Sequence, residues 1–279
     1  MQELDETRLR EIAASAADRM ELWTSFLQTF GVTSMAEVGV YRGDYAARML
    51  TETPGIERYY MIDPWRHLDD WNKPANQPDD IFEGFFSEVM DKTEAYADKR
   101  VVLRGRTVEV VDQIPDGDLD LVYIDGDHTL RGITVDLSRL FPKVKVGGFV
   151  AGDDFCRNIF QHKSGFEPTL VFPYAVYFAE AVGARIYALP HKQFVLQKVP
   201  AGEHAFVDLA GGYSKTTLDE QIAARDRRMA KQRRHDQRQA REAAAAAEPA
   251  PSTTDDGAKT AVRSAVRRLR SRRPVGGRR

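Results

Sequence analysis

Two acidic runs carry the chemistry open to this sequence. One is Tyr123-Ile124-Asp125-Gly126-Asp127-His128 and the other Ala151-Gly152-Asp153-Asp154, and each closes a short apolar run that reads as a strand. If those strands are neighbours, Asp125, Asp153 and Asp154 converge on one rim, where crowded carboxylates are costly unless a cation or hydrogen bonds relieve them. A divalent cation is the economical relief, and all-oxygen ligands without cysteine favour Mg²⁺, Mn²⁺ or Ca²⁺ over zinc. Capping is the competing use: Asp127 could cap a helix from about Thr129, and Asp153 or Asp154 a turn. His128 stands beside the cluster, and an imidazole that titrates near neutral pH could take a hydroxyl proton while a metal favours the resulting alkoxide.

A second constellation lies earlier, in Ala36-Glu37-Val38-Gly39-Val40-Tyr41-Arg42-Gly43-Asp44. Gly39 and Gly43 let the backbone turn tightly beside a ligand, but the full GxGxxG fingerprint is missing, which disfavours a dinucleotide. Glu37, just before the turn, suits a cationic amino group better than phosphates. Asp63 follows Gly43 at the spacing where a carboxylate accepts from both hydroxyls of a ribose, with a solvated strand-end acid as the plainer use. Trp65 could cover the sugar or base, or simply pack. Gly105-Arg106-Thr107 follows the third strand and could line the base end.

The elements that must position these groups follow from apolar periodicity. Leu9, Ile12, Met20, Trp23, Phe26, Leu27 and Phe30 recur at mostly helical spacing before Gly31, which predicts one N-terminal amphipathic helix over 1–33. Strand-like runs then alternate with helical stretches: Met35 to Val40, a helix from about Gly43, Tyr59 to Ile62, Val101 to Leu103, Leu119 to Ile124 and Phe149 to Ala151. That rhythm predicts an α/β, doubly wound, mostly parallel Rossmann-like sheet over 34–214, with its ligand at the carboxyl ends of the strands. Ala184 to Leu189 and Phe194 to Gln197 are close enough to form an antiparallel hairpin at one edge. The interval from about 64 to 98, with Trp65, Trp71, Pro74, Pro78 and an apolar helix through Phe82 and Val89, exceeds a connector and could be a lid.

Composition bounds the class. The chain of 279 residues is 42% hydrophobic and lacks an apolar run long enough to span a bilayer, so a soluble protein is expected, with the cytoplasm as default for an acidic start without a secretory pattern. Cys156 is the only cysteine, which excludes an intrachain disulfide, a thiolate zinc cluster and a CxxC redox motif. The net charge of −2 hides a divide: 215–279 holds 18 Lys and Arg against 8 Asp and Glu, so the body is strongly acidic. The tail reads as an exposed helix followed by a disordered segment. Its basic stretches 225–241 and 263–279 raise nucleic-acid binding as an alternative, against which the acidic body argues. Patterning reveals no interface, and a homo-oligomer stays open.

With Glu37-Val-Gly-Val-Tyr-Arg-Gly43, Tyr60-Met-Ile-Asp-Pro-Trp65, Asp120-Leu-Val-Tyr-Ile-Asp-Gly-Asp-His128 and Pro142-Lys-Val-Lys-Val-Gly-Gly-Phe-Val-Ala-Gly-Asp-Asp-Phe155, the chain resembles class I S-adenosylmethionine-dependent methyltransferases, in the branch of metal-dependent sugar and macrolide O-methyltransferases. The likeness covers about Met35 to Gln197. It implies a seven-stranded sheet with the final strand antiparallel, and a turn of Glu37, Gly39, Tyr41 and Gly43 at the methionine part of the donor. It further implies Asp63 on the ribose, Trp65 and Arg106 near the nucleoside, and Asp125 beside the donor. Asp125, Asp153 and Asp154 would hold Mg²⁺, with Asp127 able to replace or support Asp125, and His128 would activate the acceptor. The implied reaction is O-methylation of a saccharide or glycosylated metabolite, with a catechol-like phenol as the alternative acceptor.

Overall fold

A computed structural model describes residues 4–163, 165–200, 202–213 and 218–247. Residues 1–226 and 227–279 form two separate units.

The first unit is built on one twisted sheet whose centre is β1 (Ser34–Val38). It pairs in parallel with β2 (Arg58–Asp63) on one side and β4 (Leu119–Ile124) on the other. β3 (Arg100–Arg104) lies outside β2, and β5 (Val144–Gly152) lies outside β4, both parallel. The strand order therefore reverses between β1 and β4, and the crevice beyond their carboxyl ends is where such a sheet binds its ligand. Next to β5 runs β7 (Gln193–Gln197), antiparallel to it and to β6 (Arg185–Leu189). A last strand, β8 (Ala205–Asp208), is added in parallel to β6, giving the order 3-2-1-4-5-7-6-8.

This is the doubly wound sheet and hairpin that the periodicity predicts, with one difference. The sheet has eight strands, and the antiparallel strand lies inside it rather than at the edge. Ala205-Phe206-Val207-Asp208 is too short and too polar at its end to stand out as a strand in the sequence; it forms because β6 leaves an edge to pair with.

Both faces of the sheet are covered, as parallel sheets require. On one side α1 (Glu6–Ser15), α2 (Arg19–Thr29), α3 (Asp44–Glu52) and α4 (Asp79–Lys92) pack Leu9, Trp23, Phe26, Met49 and Val89 against Met35, Met61, Leu121 and Tyr123. On the other, α5 (Thr107–Val110), α6 (Leu130–Leu140) and α7 (Val171–Ala181) pack Val110, Ile133, Leu137 and Ala175 against Ala36, Val38, Val122, Ile124 and Val150. The alternation along β1 is the strand period of two at work.

The N-terminal segment is two helices where one continuous helix is expected. The break falls at Asp18, whose carboxylate accepts from the N–H groups of Met20 and Glu21, while Glu21 reaches back to the N–H of Ala17. These bonds satisfy donors that a helix start would leave orphaned, so α2 begins afresh at Arg19. That placement decides the site.

The helix α8 (Leu218–Ala247) continues into the second unit, where the described side chains are mostly exposed. The predicted disordered stretch beyond it lies outside the described residues. Among the described residues no helix is long and apolar enough to cross a membrane.

Candidate active site

A cleft of about 550 Å³ opens at the carboxyl ends of β1, β2 and β4. Its floor is the turn after β1. Gly39 has φ 88°, and a Cβ there would lie 2.1 Å from the carbonyl oxygen of Asp125, so only glycine lets the turn sit on the end of β4. The N–H of Gly39 donates to the Ile62 carbonyl at 2.9 Å, tying the turn to β2 as well. Gly43 has φ 75° and starts α3 against Val89, away from the cleft wall.

Glu37, Tyr41, Asp63, Arg106 and Asp125 all line this cleft. Glu37 is buried and accepts from Tyr59 Oη at 2.6 Å. Burial pushes its pKa up to about 8, so an empty cleft holds it largely protonated at neutral pH. Asp63 accepts from the N–H of Tyr41 at 2.8 Å and of Trp65 at 2.7 Å; burial outweighs these bonds and pushes it up to about 6.

Trp65 does not cover a ligand. It is fully buried, absent from the cleft wall, and its Nε1 donates to the Tyr41 carbonyl at 2.8 Å. Tyr41 and Trp65 have φ of 53° and 38°, a conformation non-glycine residues seldom hold, and the bonds through Asp63 fix both. The indole thus braces the turn from behind.

The three carboxylates meet at one rim, but not as an open cation site. Arg19, the first residue of α2, donates through Nη1 to Asp125 Oδ2 at 3.1 Å and to Asp153 Oδ2. Asp153 Oδ1 already accepts from the Asp154 N–H and from Gln193 Nε2, both at 2.6 Å, and Asp153 does not reach the cleft wall. Asp154 turns its Oδ2 to His128 Nδ1 at 2.7 Å. Burial would raise Asp154, but the His128 hydrogen bond and charge outweigh it and hold Asp154 well below the usual carboxylate range. Burial and the charge of Asp125 push Asp153 up to about 6 in spite of Arg19.

Among the described residues no three His, Cys, Asp or Glu side chains are disposed to hold a metal ion. The Asp125, Asp153 and Asp154 set expected for Mg²⁺ is not disposed for it: the Arg19 guanidinium lies between the first two, Asp153 accepts from three protein donors, and Asp154 is paired with His128. The acids do converge, and a cation lies between two of them. That cation is a side chain.

His128 is oriented like a base held by its partner. Nδ1 bonds Asp154, whereas Nε2 is buried, makes no hydrogen bond, and sits 3.4 Å from Asp125 Oδ1 on the cleft wall. Burial works against a charged ring, but the contacts with Asp125 and Asp154 prevail and raise the pKa to about 10. Tyr45 also lines the cleft, its ring stacked on Tyr123 at 4.2 Å and its Oη buried without a hydrogen bond.

The interval after β2 contributes to the cleft wall. Leu68, Trp71, Lys73, Pro74 and Phe82 line it. Trp71 Nε1 donates to Asp127 Oδ1 at 3.1 Å, and the same oxygen accepts from the Thr129 N–H at 3.0 Å. Asp127 is therefore a turn acceptor and an anchor for this interval, while Thr129 itself caps α6. Lys73 is buried and donates to the carbonyls of Glu167 and Pro168 at 2.9 and 3.1 Å.

Two site residues escape a sequence reading. Arg19 is remote from every motif, and its only signal is the Asp18 cap beside it. Asp136 lines the cleft from α6, accepts from Thr107 Oγ1 at 2.5 Å, and is pushed up to about 7 by burial. It sits at a helical core position where an acid reads as a surface residue.

With this geometry in place, residues 36–155 match the family model of a methyltransferase domain. No curated protein is significantly similar to the chain. Among solved structures, a Staphylococcus aureus protein assigned as a caffeoyl-CoA O-methyltransferase superposes with a TM-score of 0.51 at 14% identity, covering 71% of this chain and 94% of that one. An O-methyltransferase from Bacillus cereus in complex with SAH gives 0.45 at 13% identity, covering 71% and 83%. TomG of Streptomyces achromogenes gives 0.47 at 12%, covering 72% and 92%. The fold and the family match agree: residues 36–155, which fit a methyltransferase-domain model, lie on a Rossmann-like sheet.

Proposed function

We propose that this protein transfers a methyl group from S-adenosylmethionine to a hydroxyl oxygen of a saccharide or glycosylated metabolite. The observation that carries the reading is His128 in the wall of the cleft that the glycine turn opens, held through Nδ1 by Asp154 at 2.7 Å with Nε2 3.4 Å from Asp125. A sulfonium methyl is already an activated electrophile, so a bound donor leaves the protein to align the acceptor and remove its proton. Glu37 is placed for a cationic amino group and Asp63 for ribose hydroxyls, at the floor of the cleft. His128 Nε2 takes the acceptor proton, and Asp154 steadies the imidazolium that results. Trp71, Asp70, Arg131 and His162 add an aromatic ring and hydrogen-bonding groups to the cleft wall, which a polyhydroxylated acceptor can use.

The test is methyl transfer from labelled S-adenosylmethionine to a panel of glycosides and catechols. His128→Gln is expected to lower kcat by roughly 10²- to 10⁴-fold. Because the ring is protonated below a pKa of about 10, the wild-type rate should climb with pH through the neutral and mildly alkaline range as Nε2 becomes free, and His128→Gln should flatten that climb. Unchanged turnover in His128→Gln, or transfer confined to catechols, would contradict the assignment.

A further inference from the structure

We infer that Arg19 is the resident cation of this site, and that the protein meets with a guanidinium the electrostatic need that a divalent metal would otherwise serve. The inference rests on the methyl-transfer reading above and adds α2 to its machinery. Arg19 Nη1 lies between Asp125 at the end of β4 and Asp153 at the end of β5, the two carboxylates whose repulsion calls for a positive charge. Arginine stays charged at any working pH and presents planar, directed donors, so it can fill this role permanently.

The surroundings show a built position. Arg19 opens α2, whose start is fixed by the Asp18 cap, and whose Leu22, Trp23, Phe26 and Leu27 are fully buried. Trp23, one turn on, donates through Nε1 to Gln193 Oε1 at 2.7 Å; the same oxygen accepts from Tyr123 Oη at 2.9 Å, and Gln193 Nε2 donates to Asp153. A chain of hydrogen bonds thus joins α2 to the carboxylate that Arg19 neutralises. Asp153 consequently accepts from Asp154 N–H, Gln193 and Arg19 and has no side toward the cleft, which a metal ligand would need. Arg19 bonds both carboxylates through Nη1, and its side chain, partly exposed, forms part of the cleft wall, which brings its charge to the space a ligand would fill. A fixed positive charge there favours negative charge developing on an acceptor oxygen.

The test starts from binding and does not depend on turnover. Full-length protein is titrated with Mn²⁺ alone, and free Mn²⁺ is followed by electron paramagnetic resonance, with and without S-adenosylhomocysteine. Free Mn²⁺ unchanged by stoichiometric protein is the expected result; saturable uptake of one Mn²⁺ per chain, abolished by Asp125→Asn, overturns the inference. In parallel, wild-type transfer should survive exhaustive EDTA treatment, whereas loss on EDTA with recovery on Mg²⁺ overturns it. Arg19→Ala is expected to lose roughly 10²-fold in kcat. Arg19→Lys, which keeps the charge and guards against a folding artefact, should recover part of that loss, and a Lys variant no better than Ala counts against the role. Failure of S-adenosylhomocysteine to bind wild type would instead sink the methyl-transfer reading itself, so the two failures separate.

Discussion

Glu37 shows how a single buried group couples structure to ligand. Burial beside Tyr59 raises its pKa to about 8, and unfolding returns it to an ordinary carboxylate. The unfolded chain therefore sheds this proton at lower pH than the folded one, so the group opposes folding increasingly as pH rises from about 4.5 toward 8. Replacing it by the neutral isostere, Glu37→Gln, should stabilise the ligand-free protein at pH 8 by on the order of 2 kcal/mol, read by thermal or denaturant unfolding. A cationic amino group brought against Glu37 favours its ionised form, so donor binding at pH 7 should release a proton. Calorimetry in two buffers of different ionisation enthalpy would show it, and Glu37→Gln should abolish the difference. Glu37, Asp63, Asp125 and His128 come together because each stands at or just beyond the carboxyl end of a strand whose apolar run is visible in the sequence. Trp65 does not join them: the sequence places it at the rim, and only the Tyr41 carbonyl that it bonds reveals that it points inward.

At the scale of elements, β1 to β7 were legible because strand periodicity is set locally, residue by residue. The β8 strand was not, since it exists only through its pairing with β6, and neither was the break between α1 and α2, which one capping aspartate decides. That cap matters for chemistry, because Arg19 follows it directly. Asp18→Ala is expected to cost about 1 kcal/mol of stability and, by loosening the first turn of α2, to lower turnover with little change in S-adenosylhomocysteine affinity. Equal losses in both would place α2 at the donor end of the cleft instead. The interval after β2 stands out in the sequence as too long for a connector, and the Trp71 to Asp127 bond ties it to the turn after β4. Trp71→Phe should therefore raise the acceptor KM while leaving donor affinity intact, a split that steady-state kinetics resolves.

The whole molecule follows a division visible in its charges. The first unit holds both hydrophobic layers and the entire cleft, whereas the basic helix of the second presents mostly exposed side chains. Deleting 227–279 should thus leave the melting temperature and S-adenosylhomocysteine affinity of the remainder unchanged, while any salt-dependent retention on a polyanion disappears with the tail. The convergence of the acidic strand ends was written in the motifs. The identity of the cation between them was not, because it comes from a helix more than a hundred residues away in sequence. The account stands most directly on donor binding in the cleft between β1 and β4, and a calorimetric titration of the full chain with S-adenosylhomocysteine measures it. One saturable site per chain, weakened by at least an order of magnitude in Asp63→Ala, is the result predicted; no saturable binding, or binding indifferent to Asp63, would contradict it.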